Sequence, residues 1–453
     1  MEVPEAFVDF TAVGCNRCPH CLDCDGPSGF VAFGASDNVV VCAGEGPCSS
    51  SNFRILSTSK FHSGDVVCVK WLAAGGLSGD RRLLLSGSAD GLLALWQLLE
   101  DGRLGLLYRT SKEAASLVAA NGVLCNSGGR LRLLVAAALS DGSLSVTRAL
   151  ISDTEEEGSV TLDGRQQLEL PNGRIGLCLS FCCIDGIINA GYSVVLLAVG
   201  EDGGSIGLYG AYAESGTEFV CLASLKGHQD WVRDLSFESS TLASSPEDGF
   251  LLASGSNDSC VRLWRFRPQT TESEPCEMGQ TFRIQGCGDQ SQLLSVSVES
   301  VLTGHDDWVY SVVWFRESKT SGGCPMLLSA SMDKSIILWK LDAVSGLWIE
   351  KDRLGQAGGE YVGFYGARYH SDGKGSAMVV AHSFFGALHC WRRIDGDDGQ
   401  WKAVSPMPGG HFGAAVDVAW EPANGAYLLS CGRDQTTRLF VPCSPRSDAQ
   451  VCS

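Results

Sequence analysis

The sequence predicts an all-β propeller. Three observations support this: a hairpin-like pattern recurs along the whole chain, glycine is abundant, and amphipathic helical periodicity is lacking. A chain of 453 residues has room for two to four domains of about 150 residues each, unless one closed β architecture absorbs it. The composition favours the closed architecture: 55 glycines, 6 methionines, 44% hydrophobic and only 19% charged residues. Short apolar runs punctuated by glycine read as many short strands joined by tight turns.

Four copies of one pattern lie in register. They are LLLSGSADGLLALW (83–96), LLASGSNDSCVRLW (251–264), LLSASMDKSIILW (327–339) and LLSCGRDQTTRLF (428–440). In each, a serine is followed four residues later by aspartate and six residues after that by an aromatic residue. The sets are Ser86/Asp90/Trp96, Ser254/Asp258/Trp264, Ser329/Asp333/Trp339 and Ser430/Asp434/Phe440, and His62, His228, His305 and His411 stand 19 to 26 residues upstream. Two apolar runs around a short polar turn make a hairpin, the middle pair of strands of a blade. The histidine then precedes the innermost strand, the serine lies on the next strand and the tryptophan on the third. The turn aspartate can accept from the imidazole, the imidazole can reach the serine, and the indole N–H completes a buried network that fixes blade geometry.

Degenerate hairpins fill the gaps at 30–43, 131–150, 194–209 and 378–391; the last keeps Trp391 but places Phe385 where the turn aspartate would be. That makes eight middle-strand pairs.

A catalytic reading of the His/Ser/Asp trios fails on repetition, because a triad occurs once whereas this trio recurs with a tryptophan attached. No phosphate-cradling loop, zinc-protease helix or nucleophile-elbow motif is present. The string CNRCPHCLDC puts Cys15, Cys18, Cys21 and Cys24 at three-residue spacing around His20. That spacing suits zinc or iron–sulfur ligation. On the inner strand expected here, however, residues three apart point to opposite faces, so the cysteines read as core residues and no metal or other cofactor is expected. The 20 cysteines are expected to be reduced thiols packed as small apolar residues.

The net charge of −18 and a pI near 4.8 oppose a broad phosphate-binding face. The acidic clusters Asp153–Glu157 and Asp395–Asp398 read as solvated loop tips. The N-terminus lacks the features of a secretory signal, and no apolar stretch reaches the roughly 18 residues that span a bilayer. A soluble protein of the cytoplasm and nucleus is expected, with neither a membrane nor a small-molecule substrate as partner.

Candidate binding residues lie where the loop before each inner strand meets the middle-hairpin turn, at the mouth of the central channel. Three and five residues past the histidines these are Asp65 and Val67, Trp231 and Arg233, and Trp308 and Tyr310. The residues before the turn aspartates, Ala89, Asn257, Met332 and Arg433, join them. Tryptophan, tyrosine, arginine and methionine are enriched at interfaces. Arg233 and Tyr310 are expected to be exposed, whereas Trp231 and Trp308 fit exposure and packing between blades equally well. The polar stretch Arg267–Gln292 is expected to be a loop between the third and fourth strands of its blade, with the character of a docking arm.

The repeats are of the WD type. The order of the degenerate blades resembles the WD-repeat subunit family of the Elongator complex. The resembling stretches are GCN (14–16), SVESVLTGHDDWVYSVVW (297–314), LSASMDKSIILW (328–339), LWIE (347–350), GFYG (363–366), GALHCWRR (386–393) and DQTTRLF (434–440). The resemblance implies a non-catalytic scaffold that holds the catalytic and largest subunits of Elongator together for wobble-uridine modification of tRNA, touching tRNA only indirectly. The alternative is a stand-alone WD-repeat reader of a peptide or ubiquitin partner. The family has two seven-bladed propellers in about twice this length. We therefore expect seven blades over residues 1–405, with the alternating run at 4–13 completing the blade of Trp391. Residues 406–453 would begin a second, incomplete propeller, leaving Leu428, Leu439 and Phe440 poorly buried. A single eight-bladed ring is the competing arrangement.

Overall fold

In the computed structural model, the described residues run from 6 to 442. Excepted are 14–15, 17–19, 26–28, 45–52, 73–80, 128–129, 152–159, 186–192, 214–216, 239–248, 270–278, 286–290, 318–323, 356–362, 372–375, 395–398, 405–406, 408–409 and 422–426. The two acidic clusters, Cys15 and Cys18 lie outside the described residues.

Eight antiparallel sheets follow one another along the chain. Blades 1 to 7 span Leu22–Lys60, Val66–Arg109, Leu117–Glu169, Gly176–Leu225, Val232–Thr303, Val309–Gly355 and Phe364–Val404, and blade 8 spans Ala415–Pro442. The innermost strand of each blade contacts that of the next, and the innermost strand of blade 8 contacts that of blade 1, so the sheets form a closed ring. The second strand of a blade is sandwiched between neighbouring blades: Phe250–Ser256 and Met326–Ser331 are buried at every position. Both faces are covered there, so the sequence reads as a continuous apolar run instead of an alternation. Outer strands such as Arg54–Lys60 are largely exposed and polar. Every middle hairpin turns through one residue in the left-handed region. Glycine takes that place at Gly91, Gly142, Gly204 and Gly386, and Ser36, Ser259, Lys334 and Gln435 do so in the other four blades.

Polar side chains stitch neighbouring inner strands across the channel wall. The Asp23 carboxylate accepts from the Trp71 N–H at 2.7 Å, Asn121 donates to the Leu179 carbonyl at 2.8 Å, and Asp234 accepts from the Val312 N–H at 2.9 Å. Asp417 of blade 8 accepts from the His20 N–H at 3.1 Å, ahead of the first blade.

The seven-plus-one arrangement is corrected. The N-terminal strand Ala6–Val13 pairs antiparallel with Thr436–Pro442 and supplies the fourth strand of blade 8, not of the Trp391 blade. The reason is an occupied edge: Lys402–Val404 already pairs with Cys390–Arg392 and closes the Trp391 blade from within. The open edge lies at the end of blade 8, and an open edge needs a strand. The expected break at 405/406 therefore falls between two blades of one ring. Leu428, Leu439 and Phe440 are fully buried, not poorly so.

The Arg267–Gln292 loop is also corrected. The third strand continues to Gln269, and Gly279–Gln285 forms a fifth strand on the edge of Ser291–Thr303. Phe282 and Ile284 alternate along it and pack into a core shared with Leu208, Ala223 and Leu225 of blade 4. That burial gives the segment a reason to be a strand.

Candidate interaction rim and its supporting networks

The repeat histidines organise the turns. In blade 6, His305 Nδ1 donates to Asp333 at 2.9 Å, so Nε2 accepts from the Ser329 hydroxyl at 2.8 Å, and Trp339 Nε1 donates to the same hydroxyl at 2.9 Å. Blade 5 repeats this with His228, Asp258, Ser254 and Trp264 at 2.9, 2.8 and 3.0 Å. In blade 8, His411 reaches Asp434 and Ser430 at 2.9 and 2.7 Å, with Phe440 in place of the indole. Burial pushes the Asp258 carboxyl up, but the His228 bond and the backbone N–H groups of Gln229 and Cys260 outweigh it and hold it at about 2. The same balance holds Asp333 well below the carboxylate range, with burial again the opposing cause. Ser254, Ser329 and Ser430 are fully buried and already engaged by imidazole. A hydroxyl sealed in this way meets no substrate.

Blade 2 departs from the pattern. His62 Nε2 and Trp96 Nε1 both meet the Ser86 hydroxyl at 2.8 Å. The expected Asp90–His62 bond is not formed. Asp90 instead accepts from the Ser63 hydroxyl and N–H at 2.6 and 3.0 Å and from the Ser88 hydroxyl. His62 Nδ1 is buried with no partner among the described residues. Burial lowers the His62 pKa to about 4, against a weaker opposing pull from Asp90 and Asp37.

These networks place the turns against the loops that enter the inner strands. Backbone bonds pin the two together in blade after blade: Ala89 N–H to Asp65, Asn257 N–H to Trp231, Met332 N–H to Trp308 and Arg433 N–H to Ala414, each at 2.8–3.0 Å. All the candidate binding residues therefore lie on one rim. Their exposures decide the open alternative for the two tryptophans and depart from the expectation for Arg233 and Tyr310. Trp231 and Trp308 are each 43% exposed, and Asp230 and Asp307 hold them there by accepting from their backbone N–H groups at 2.7 Å. Arg233 and Tyr310 are half-buried instead of exposed. The Arg233 guanidinium lies over the rings of Trp231, Tyr310 and Trp308 at 4.7, 4.9 and 5.7 Å, and its Nε donates to Asn257 at 2.8 Å. Stacking draws both residues inward.

Sequence reasoning missed the continuation of this rim. Tyr310 packs edge-on to Tyr365 at 5.1 Å, Tyr365 lies 6.1 Å from Phe384, and Phe384 lies 5.5 Å from Phe385. Phe385 is 69% and Phe412 94% exposed, the latter over Arg438 at 5.5 Å. A Phe-Phe pair at the tip of a turn that elsewhere carries aspartate was the available signal. On the opposite half of the rim the corresponding loops carry Asp37, Asp65, Lys112, Asp141 and Asp202. Asp65, Val67 and Ala89 stand there apart from the aromatic chain, whereas Met332 and Arg433 lie on the aromatic half.

Cys21 and Cys24 are buried at the junction of blades 1 and 8, with Cys21 Sγ 3.8 Å from Cys431 Sγ. Among the described residues, no group of three or more His, Cys, Asp or Glu side chains is placed to hold a metal ion. No helix there is long and apolar enough to cross a membrane.

A ring of blades carrying repeated His–Ser–Asp networks defines a WD-repeat β-propeller. The family model described as "WD domain, G-beta repeat" matches residues 53–97, 219–265 and 296–340. Solved propellers share the fold: Saccharomyces cerevisiae Sqt1 aligns with a TM-score of 0.62 at 13% identity, covering 98% of this chain and all of that one. The C-terminal WD40 domain of Sif2 gives 0.59 at 15% identity, with the same coverage. Within this class, the chain is similar to Elongator complex protein 2. It is 32% identical to the Drosophila melanogaster protein over 458 residues, covering 95% of this chain and 51% of the relative. The Homo sapiens protein is 31% identical over 438 residues (94% and 48%) and the Schizosaccharomyces pombe protein 29% over 453 (95% and 51%). The chain spans about half the length of the curated relatives it matches.

Proposed function

We propose that the chain is a non-catalytic scaffold subunit of the Elongator complex, acting in the cytoplasm and nucleus. It would hold the catalytic and largest subunits together for wobble-uridine modification of tRNA, touching tRNA only indirectly. The names of its relatives support membership of that assembly. The observation that supports a contact role for this chain is the aromatic rim of blades 5 to 8. Trp231, Trp308, Phe384, Phe385 and Phe412 are all at least 41% exposed, and the histidine networks of blades 5, 6 and 8 brace the turns beside Trp231, Trp308 and Phe412. Rigid, exposed aromatic side chains are the residues that dominate binding energy at interfaces.

The test is co-purification from cells with a tagged full chain. Combined Trp231→Ala, Trp308→Ala and Phe385→Ala changes should abolish recovery of the other Elongator subunits with the thermal midpoint unchanged, since hot-spot truncations each cost about 1–4 kcal/mol of binding. Undiminished recovery of the whole assembly would overturn this rim as the contact face.

A further inference from the structure

Arg233 is held by three rings and one hydrogen bond on the aromatic rim, yet most of its hydrogen-bonding capacity is unused. Three rings hold its guanidinium plane and Asn257 fixes its Nε. The terminal nitrogens have no partner among the described residues, and the side chain is half-open to solvent. Restraining an arginine normally costs side-chain entropy on binding; here the fold has already restrained it. A planar fork of free N–H groups held in this way matches a carboxylate with two parallel bonds.

A second guanidinium lies nearby. Arg433 is exposed, its backbone N–H is pinned to the Ala414 carbonyl at 2.8 Å on the same rim, and its side chain makes no hydrogen bond or ion pair among the described residues. Burial raises the pKa of the Tyr365 hydroxyl, Tyr310 adds to the rise, and the two arginines oppose it. Two guanidinium groups thus stand on this half of the rim in a chain of net charge −18.

We infer that Arg233, assisted by Arg433, is a preorganised receptor for an Asp or Glu side chain in an extended segment of a partner protein, with apolar neighbours of that residue seated on Trp231 and Trp308. This rests on reading the rim as the partner-binding face. A cationic ligand is the wrong occupant, because the three-ring cage that would hold it is filled by the guanidinium of Arg233. A nucleic-acid strand is the wrong occupant as well. Asp230, Asp306 and Asp307 are exposed around the two tryptophans, and they would repel successive phosphates while sparing one carboxylate clamped by arginine.

The experiment selects phage-displayed random short peptides on the immobilised full chain and removes clones that also bind the Arg233→Ala chain. Retained clones should carry Asp or Glu beside Leu, Phe or Trp. A synthetic peptide of the winning sequence should bind about tenfold or more weakly when its acid is replaced by the amide, or to Arg233→Lys, which keeps the charge but not the fork. Arg433→Ala, which disturbs no packing, should weaken it too, and equal thermal midpoints certify the variants. Clones rich in Lys or Arg, or none dependent on Arg233, would overturn the proposal, as would tighter binding of an oligothymidylate than of the acidic peptide. Acid-dependent binding with undiminished Elongator recovery by the triple rim variant would sink the assembly reading and leave the receptor standing.

Discussion

Blades 2 and 6 carry the same residues at the same spacing and use them differently. His305 donates to Asp333, whereas His62 is left beside an Asp90 that binds elsewhere. The difference lies in two hydroxyls. In blade 6 the residue after the histidine is Asp306, which offers Asp333 only its backbone N–H, Ser331 donates to the Asp307 carbonyl, and Asp333 accepts from a single hydroxyl, that of Ser335. In blade 2 that residue is Ser63, whose hydroxyl and N–H both bind Asp90, and Ser88 donates to Asp90 as well. A carboxylate already met by two hydroxyls has no need of an imidazole. Matching spacing thus identifies which residues sit together, while the neighbours one position away decide which bonds form.

The largest effect expected from this contrast is on stability. Asp333→Ala should cost about 1–3 kcal/mol by removing the carboxylate that accepts from buried His305 Nδ1 and from the Ser335 hydroxyl, leaving only the Ser335 oxygen within 3.1 Å of that nitrogen. Asp90→Ala should cost less, because Ser63 is exposed and, of the buried side chains, only the Ser88 hydroxyl loses an acceptor, with no imidazole involved. Urea unfolding of the two variants decides the matter, and equal costs would mean that the blades do not differ.

Comparable in size is a pH effect. The folded-state pKa of His62, about 4, lies below the free value of 6.5, so the unfolded chain binds a proton the folded chain refuses. Stability from this group is present above pH 6.5 and is lost as pH falls towards 4, by at most about 1.4 kcal/mol per pH unit. Asp258 acts in a lower window: its pKa of about 2 against the free value of 3.8 means that its contribution is lost only as pH falls from about 4 to 2. Unfolding free energies measured from pH 7 to 4 in wild type and His62→Gln should converge as pH falls. A constant difference would show that His62 already has an acceptor.

The smallest and sharpest test converts one blade into the other. Ser63→Ala removes the hydroxyl that satisfies Asp90 and frees the carboxylate to accept from His62 Nδ1. The His62 resonance, followed by NMR, should then titrate at higher pH than in wild type. An unchanged titration would show that geometry, not competition, keeps the pair apart.

Much of this was legible in one dimension. The four full repeats and the degenerate hairpins around Asp37, Asp141, Asp202 and Phe385 all became middle strands, because doubly covered strands demand unbroken apolar runs and their turns demand small or polar residues. The identity of the rim was legible for the same reason, since a fixed offset from each histidine lands on one face. Its extent was not: Tyr365 belongs to a repeat that has lost its upstream histidine, and Phe412 stands one residue past His411, outside the offsets of three and five.

By itself, then, the sequence determined an all-β propeller, its hairpins and the makeup of its histidine networks, since those depend on periodicity and residue type over a few positions. Only the tertiary structure decided how many blades the ring holds, which blade the N-terminal strand completes, that Gly279–Gln285 is a fifth strand, and whether the tryptophans or Arg233 face solvent. Each of those depends on which edge or cavity another distant segment has left open, and local spacing carries no record of that.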